Sequence, residues 1–465
     1  MRGDHIGLRS ARGRWVLAAT VLGSALAMLD STVVNVALPF LGTELEAGMA
    51  GLQWTVNAYT LTLAGLILLG GSLGDRFGRR RIFMAGTVWF ALASALCAVA
   101  PTIEFLIGAR ALQGVGGALL TPGSLAIIQA SFAKADRPRA IGVWSGLGGV
   151  ASAVGPLLGG AMVQTVGWRW AFLINLPFAA LVLLVAARHV PESRNEQAAG
   201  RFDVLGSALA ALSLAGVTYG LIGLDAPLPL VAGVLLGAAF VVVERRRSPD
   251  ALVPVGLFAD RVFSAVNAVT LLMYGAMGVV FFLLAVQLQV VSGFSPVAAA
   301  SALLPVTGLM LLLSPSAGEL AKRHGPRGPM TLGILVAGAG FLLMSTIGPG
   351  SSYVLHVLPA VTVFGLGLSA VVAPLTSTVL ASADDWYAGT ASGVNNAVAR
   401  SGTLLAVAAV PPLAGLTGDA FQDPAVFDAG FRLAMLVSAA VMAVAALIAA
   451  VAVRENVLDP QKVKA

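Results

Sequence analysis

The sequence predicts an all-α polytopic membrane protein with fourteen transmembrane helices. Three observations carry that expectation: composition, the length of the apolar runs, and where the basic residues fall. Of 465 residues, 58% are hydrophobic and only 11% charged, with a mean hydropathy of +0.89. A soluble domain carries about 25% charged residues, so this chain lacks the means to cover itself with a water-facing surface. That excludes a large soluble enzyme, a disordered chain and a nucleic-acid-binding module. The net charge of +6 is informative through its placement, not its sum.

A helix needs about 20 mostly apolar residues to cross the hydrocarbon core. The first such run, 15–39, follows Arg2, Arg9, Arg12 and Arg14. Its Ser24-Ala25-Leu26-Ala27 stretch looks like a signal-peptide cleavage site, but the run is long enough to span and many spans follow. It reads as an uncleaved first helix. Spans 52–73 and 82–100 flank a basic cluster at Arg76, Arg79, Arg80 and Arg81. Spans 104–132 and 140–163 flank Lys134, Arg137 and Arg139, and span 170–187 precedes Arg188, Arg194 and Arg201. Spans 204–224 and 227–243 are joined by a short turn at Pro227 and Pro229 and end before Arg245–Arg247 and Arg261. Spans 262–290 and 297–320 lead to Lys322, Arg323 and Arg327. Spans 330–347, 354–382, 388–416 and 431–453 complete the set, before Arg454, Lys462 and Lys464. With both termini cytoplasmic, 24 of the 28 basic residues lie on the inner side. Only Arg169 and Arg432 fall outside, while Arg110 and Arg400 fall within spans. One missed helix would invert every later loop, so this split supports the count of fourteen. The one inner loop without a basic residue carries Asp384 and Asp385.

The chain also repeats itself. Gly71 to Arg80 (GSLGDRFGRR) and Gly318 to Arg327 (GELAKRHGPR) share a Gly-x-x-x-charge-Arg-x-Gly-x-Arg pattern, 247 residues apart. Gly114-Val115-Gly116 and Gly365-Leu366-Gly367 lie 251 residues apart. Nearly equal offsets imply a six-helix unit used twice. The expected organisation is an N-terminal six-helix bundle over 1–190, two additional helices with cytoplasmic linkers over 191–261, and a C-terminal six-helix bundle with a short tail over 262–465. Transporters built as two such halves bind substrate near the midplane and rock between two accessible states.

Four motifs make the chain resemble the major facilitator superfamily, and its fourteen-helix drug:proton antiporter family in particular, over nearly the whole length. They are Leu29 to Pro39 (LDSTVVNVALP), the Gly71 to Arg80 loop, Arg110 to Ala118 (RALQGVGGA), and Gly142 followed by Gly155 to Gly160 (GPLLGG). The family's usual glycine between the last two points is Ala151 here, a departure that keeps the side chain small. The thirteenth span adds Ala391-Ser392-Gly393, Asn395, Asn396, Arg400 and Gly402. The resemblance implies a major facilitator fold and proton-driven export of hydrophobic, drug-like compounds of the multidrug or quaternary-ammonium type.

Asp30 is the first candidate for chemistry. It stands about fifteen residues, or roughly 22 Å, into its helix, where a carboxylate costs at least about 2.5–3.5 kcal/mol. It is read as a proton-coupling group or a counter-charge for a cationic substrate; a permanent ion pair that fixes packing is the alternative. Arg110 lies at similar depth on the antiparallel fourth helix and is its natural partner, unless it snorkels to the outer headgroups. The resemblance implies that Gly71, Asp75, Arg76, Gly78, Arg79 and Arg80 form a cytoplasmic gating loop holding the halves together, with Asp75 facing a helix N-terminus. Gly142, Gly155, Pro156, Gly159 and Gly160 mark an antiporter helix, expected to form a tight seam between halves. Asn35, Asn57, Tyr59, Gln113, Asn395 and Arg400 are the candidates to line a substrate cavity, since polar groups facing lipid are costly.

Some chemistry has no residues to carry it. The four lysines follow no phosphate-binding glycine loop, so an ion gradient and not a nucleotide is the expected energy source, with no other cofactor. The four histidines lack ligand spacing, so no metal is expected. Cys97 is the only cysteine and reads as a buried structural thiol. The expected partners are a small hydrophobic substrate, cationic ones included, protons and the bilayer, with no nucleic acid and a functional monomer. The expected location is the cytoplasmic membrane. Two other functions fit less well: a dedicated exporter of one endogenous metabolite or antibiotic, and a non-transporting membrane sensor or scaffold.

Overall fold

The computed structural model describes residues 6–133, 136–194, 203–223, 227–247, 253, 255–383 and 388–458. Arg2, Lys134, Arg201, Asp384, Asp385, Lys462, Lys464 and both chain ends, on which part of the expected topology rests, lie outside the described residues. Within them there is no β-strand, only an isolated bridge between Ile6 and Phe132. A helix satisfies every backbone group within its own segment, which hydrocarbon requires.

The helices are α1 (Ala11–Glu44), α2 (Met49–Phe77), α3 (Arg79–Ala98), α4 (Ile103–Ser131), α5 (Arg137–Thr165), α6 (Trp170–Leu173), α7 (Asn175–His189), α8 (Val204–Ile222) and α9 (Pro227–Arg247). After them come α10 (Arg261–Val286), α11 (Pro296–Ser301), α12 (Leu304–His324), α13 (Arg327–Met344), α14 (Leu358–Ala381), α15 (Ala388–Leu413) and α16 (Pro424–Ala452). α6 with α7, and α11 with α12, are each one broken span; π-helical turns extend α10 at Gln287–Val291 and precede α14 at Tyr353–Val357.

Thirteen described segments are long and apolar enough to cross a bilayer. α15 fills the remaining expected span with 26 helical residues, and falls short in apolarity because it carries Asn395, Asn396 and Arg400. Two boundaries differ most from expectation. α1 runs through Pro39 to Glu44, and α16 starts at Pro424, not near 431. There Asp423 accepts from the N–H groups of Ala425 and Val426, a side-chain cap followed by proline at the first helical position. The polar Asp428 and Arg432 hid that start.

By their contacts the helices group into two units: Met1–Ala47 with Trp54–Leu212, and Gly48–Gln53 with Ser213–Ala465. In the first unit, α3 and α4 meet on glycine: a methyl at Gly116 would stand 2.7 Å from the Phe90 nitrogen, and one at Gly86 would stand 2.9 Å from the Leu120 nitrogen. Phe83, Phe90, Phe132 and Phe172 are fully buried among these helices. The first half of α8 joins this unit, with Ala211 against Gly65 of α2. In the second unit the same seam recurs. Gly333 and Gly367 close α13 onto α14, at the 247- and 251-residue offsets from Gly86 and Gly116. The rest of α8 packs tightly on α9, where the Ser213 hydroxyl donates to the Gly233 carbonyl at 2.8 Å.

The two basic residues expected outside each have an acidic partner. Arg169 pairs with Glu44, which also accepts from the Trp168 indole at 2.7 Å. Arg432 lies 3.9 Å from Asp428.

Candidate functional site

The first unit holds a fully buried ion pair. Asp30 and Arg110 are each 1% exposed, and Arg110 Nη1 donates to Asp30 Oδ2 at 2.5 Å. α1 and α4 supply the two charges. The same carboxylate accepts at Oδ1 from Gln113 Nε2 at 2.7 Å and from Asn175 Nδ2 at 2.8 Å. Ser94 on α3 accepts from both amides, at 2.7 and 3.2 Å. The spacing on α4 explains part of this: positions 110 and 113 lie on one helical face. Arg110 Nη1 also donates to Gln113 Oε1 at 2.6 Å, and its Nε donates to the Thr55 carbonyl of α2 at 3.0 Å. The guanidinium lies over the Tyr59 ring, 4.4 Å from its centroid.

Asp30 is therefore a hub. Its carboxylate collects donors from α4 and α7, while Ser94 and Thr55 tie the same network to α3 and α2. A buried charge of each sign is tolerable because nearly every polar atom around the pair is matched. Of the two charges, only the carboxylate can gain or lose a proton, because arginine does not deprotonate in proteins. Protonation would remove the Coulombic hold on Arg110 and leave the hydrogen-bonding frame largely in place.

Three members of this network escaped the sequence reading. Asn175 and Ser94 are uncharged polar residues near the ends of α7 and α3 opposite their arginines, and Cys97 is close enough for its thiol to donate to Gln113 Oε1 at 3.7 Å. The available signal was depth: Ser94 and Asn175 sit at levels in α3 and α7 close to that of Arg110 in α4. Tyr59 and Gln113, expected at a substrate cavity, belong to this ion-pair network.

The other candidates separate. Asn57 is fully buried and both its amide atoms lack a hydrogen-bond partner; the Oδ1 of half-buried Asn35 is likewise unmatched. Asn395 donates to Asn267 Oδ1 at 3.1 Å and Thr270 Oγ1 at 2.8 Å, joining α15 to α10. Arg400 Nε donates to Asn396 Oδ1 at 2.9 Å, one helical turn away.

The Gly71 to Arg80 loop is more tightly built than its motif suggests. Arg79 Nε donates to Asp75 Oδ1 at 2.9 Å, so Asp75 engages an arginine of its own loop. The guanidinium of Arg76 lies 6.0 Å from the Phe77 ring centroid. Gly78 turns the chain at φ +109°, a conformation that favours glycine. No side chain at position 78 can cap α3. Glu192, beyond α7, takes that role: its Oε1 accepts from the Arg80 N–H at 3.1 Å, and the Arg79 N–H donates to the Ser193 carbonyl at 2.9 Å. Glu192 also lies 3.8 Å from Nε of both Arg80 and Arg81. The sequence offered no signal for a partner 112 residues away.

The α5 glycines pack within the first unit. The contacts found at Gly148, Gly155 and Gly159 are with Met28, Thr32 and Val33 of α1. A methyl at Gly142 would meet nothing within 4 Å. Pro156 lies inside α5 without ending it, and Gly160 is buried.

Fold and site thus define a class: a many-spanning helical membrane protein with a fully buried ion pair between two of its spans. The chain belongs to the Major Facilitator Superfamily, whose family model matches residues 20–407. It is 34% identical to the tetracenomycin C resistance and export protein of Streptomyces glaucescens, over 90% of this chain and 80% of that protein. It is 37% identical to the puromycin resistance protein of Streptomyces alboniger, over 85% and 80%. It is 32% identical to a multidrug efflux pump of Mycolicibacterium smegmatis, over 86% and 81%. Among solved structures, a POT family transporter in complex with 5-aminolevulinic acid matches with a TM-score of 0.73 at 15% identity, covering 95% of this chain and 97% of that one. That likeness bears on the fold alone. The protein is a membrane transporter of the superfamily.

Proposed function

We propose that the protein is a proton-coupled antiporter that exports small hydrophobic, drug-like compounds across the cytoplasmic membrane, with Asp30 as the coupling carboxylate and Arg110 as its counter-charge. The observation that carries this is the fully buried pair with its frame of neutral donors, in a chain whose relatives are named for drug resistance, efflux and export. A proton entering from outside neutralises Asp30 and loosens its hold on Arg110, favouring release of substrate outward. Loss of the proton to the cytoplasm restores the pair. One proton falling through about 100 mV yields roughly 2.3 kcal/mol, which serves as the driving force without a resident cofactor.

In this reading residues 1–190 and 262–465 are the two six-helix bundles, with two further helices between them. Both termini are cytoplasmic, and a single chain is the functional unit. The Gly71 to Arg80 loop gates the inner side, and Asn35, Asn57, Asn395 and Arg400 contribute to the substrate path. The unmatched amide of Asn57 supports that role. A second reading, export of one antibiotic or metabolite, is favoured by relatives named for single compounds such as puromycin and tetracenomycin C.

The test is uptake of a fluorescent lipophilic cation into inside-out vesicles energised by a proton gradient. Accumulation above empty-vector vesicles that a protonophore abolishes is the expected result. Absence of dye uptake alongside gradient-driven uptake of a single antibiotic would favour the second reading. Uptake insensitive to the protonophore would overturn proton coupling.

A further inference from the structure

Every group bonded to the Asp30 carboxylate is a donor. Arg110 Nη1 serves Oδ2, and the amide nitrogens of Gln113 and Asn175 serve Oδ1. That set suits an ionised carboxylate only. A protonated carboxyl carries an O–H that needs an acceptor, and a buried hydroxyl without one is costly. Asp30, Ser94, Gln113 and Asn175 are each 0–1% exposed, so the acceptor must come from the protein. Arginine has none to offer. One of the two amides must therefore present its oxygen.

The bonds of the amides decide which one. Gln113 is fixed, because its Oε1 accepts from Arg110 Nη1 at 2.6 Å; turned over, its nitrogen would face the guanidinium. Among the described residues the side-chain bonds of Asn175 run through Nδ2 alone. Ser94 completes the arrangement. Its Oγ accepts from Gln113 at 2.7 Å and from Asn175 at 3.2 Å, and its own hydrogen goes to neither. A hydroxyl can rotate to donate where it had accepted.

We propose that Asn175 is a positioning residue that follows the proton. When Asp30 is protonated on Oδ1, the Asn175 amide turns over and its oxygen accepts from the new carboxyl O–H. The Ser94 hydroxyl reverses and donates to the same oxygen. The proposal rests on the coupling reading above. One bond forms, the O–H at Oδ1, to a proton supplied by water from the outer side, and the carboxylate is neutralised. The four hydrogen bonds among Asp30, Ser94, Gln113 and Asn175 become four again, two of them reversed. Both protonation states are thus satisfied in a dry site with the heavy atoms in place, while Gln113 keeps its hold on Arg110. The other titratable groups facing the pair are Tyr59 on α2 and Cys97 on α3. The remaining charges on the surrounding helices stand in their end turns.

The experiment reads infrared difference spectra between high and low pH from the full-length chain in lipid nanodiscs, with isotopically labelled asparagine. Acidification is expected to produce a protonated-carboxyl C=O band that Asp30→Asn lacks. With it should come a change in a labelled asparagine side-chain band that Asn175→Leu lacks. A carboxyl band with no asparagine change overturns the amide turnover. Absence of any Asp30 carboxyl band overturns the coupling reading itself, and the proposal with it. If Asn175→Leu does not reach the membrane, Asn175→Thr keeps a hydroxyl that donates or accepts and removes the labelled band equally. Transport gives a second readout. Asn175→Leu takes one bond to Asp30 from each protonation state, so the pH midpoint of dye uptake should move by less than about one unit. A donor serving the ionised state alone would, once removed, raise that midpoint by about one unit or more, because a hydrogen bond to a charged group is worth about tenfold or more. A rise of that size overturns the proposal.

Discussion

Replacing Asp30 by asparagine tests the buried site most directly. The amide keeps the size of the carboxyl group and can keep an oxygen towards Gln113 and Asn175. Its nitrogen then faces Arg110, so a donor meets a donor where the structure has an ion pair of 2.5 Å. Arg110 retains Gln113 Oε1, the Thr55 carbonyl and the Tyr59 ring, but no anion. Both side chains are essentially without solvent contact, so screening does not reduce the loss. Leaving one member of a buried pair uncompensated costs about 3–5 kcal/mol. Arg110→Gln should cost a similar amount by stranding the carboxylate. The double variant removes both charges and should recover much of the loss, with a coupling of at least about 2 kcal/mol. The assay is heat-resistant folded fraction in detergent for the four proteins, alongside proton-driven dye uptake in vesicles. Stability is expected to recover in the double variant while transport stays abolished, because no carboxylate remains at the site. Stability losses that add to within about 0.5 kcal/mol would refute the pairing. Transport by Asp30→Asn at the native rate would refute the coupling role.

Two further predictions concern packing and the inner loop. A methyl at Gly159 would stand 2.9 Å from Val33 Cγ1 and 3.0 Å from its Cα, so Gly159→Leu must push α1 and α5 apart, at about 1–3 kcal/mol or more; Gly142→Ala, in open space, should change the folded fraction by less than about 0.5 kcal/mol, and equal effects at the two positions would contradict the α1–α5 contact. Glu192→Ala removes the carboxylate acceptor at the start of α3 and should destabilise by about 1 kcal/mol, read as faster hydrogen exchange at the Arg80 amide; unchanged exchange there would show that the cap is not formed.

The helices were legible because hydrocarbon imposes a strict rule: backbone groups must be satisfied locally, so a long apolar run marks a helical span. α15 and the start of α16 show the limit of that signal. Asn395, Asn396 and Arg400 lower the apolarity of α15 because α15 faces protein on one side, where Asn395 meets Asn267 and Thr270. The site was legible in its charges and opaque in its frame. A lone Asp30 and a lone Arg110 at matching depth stand out because each is costly alone. Ser94 and Asn175 are inexpensive to bury once hydrogen-bonded, so nothing in their helices marks them. Glu192 and Gln53 bond to partners 112 and 354 residues away in the chain, which only the folded chain brings together.

The two copies of the repeat separate what the architecture demands from what the chemistry demands. Gly86 and Gly116 have counterparts in Gly333 and Gly367, and each pair closes one helix onto the next. A close helix approach cannot form around a side chain, so both copies need those glycines. At the same 251-residue offset, Arg110 and Gln113 correspond to Val361 and Phe364, both fully buried. The second copy thus keeps the seam and fills the position of the charge network with apolar side chains. An apolar core at that position is sufficient for packing, as α13 and α14 demonstrate within the same molecule. The ion pair of the first copy is therefore not needed to join α3 to α4, and the coupling role proposed for it would account for a cost that Val361 and Phe364 do not carry.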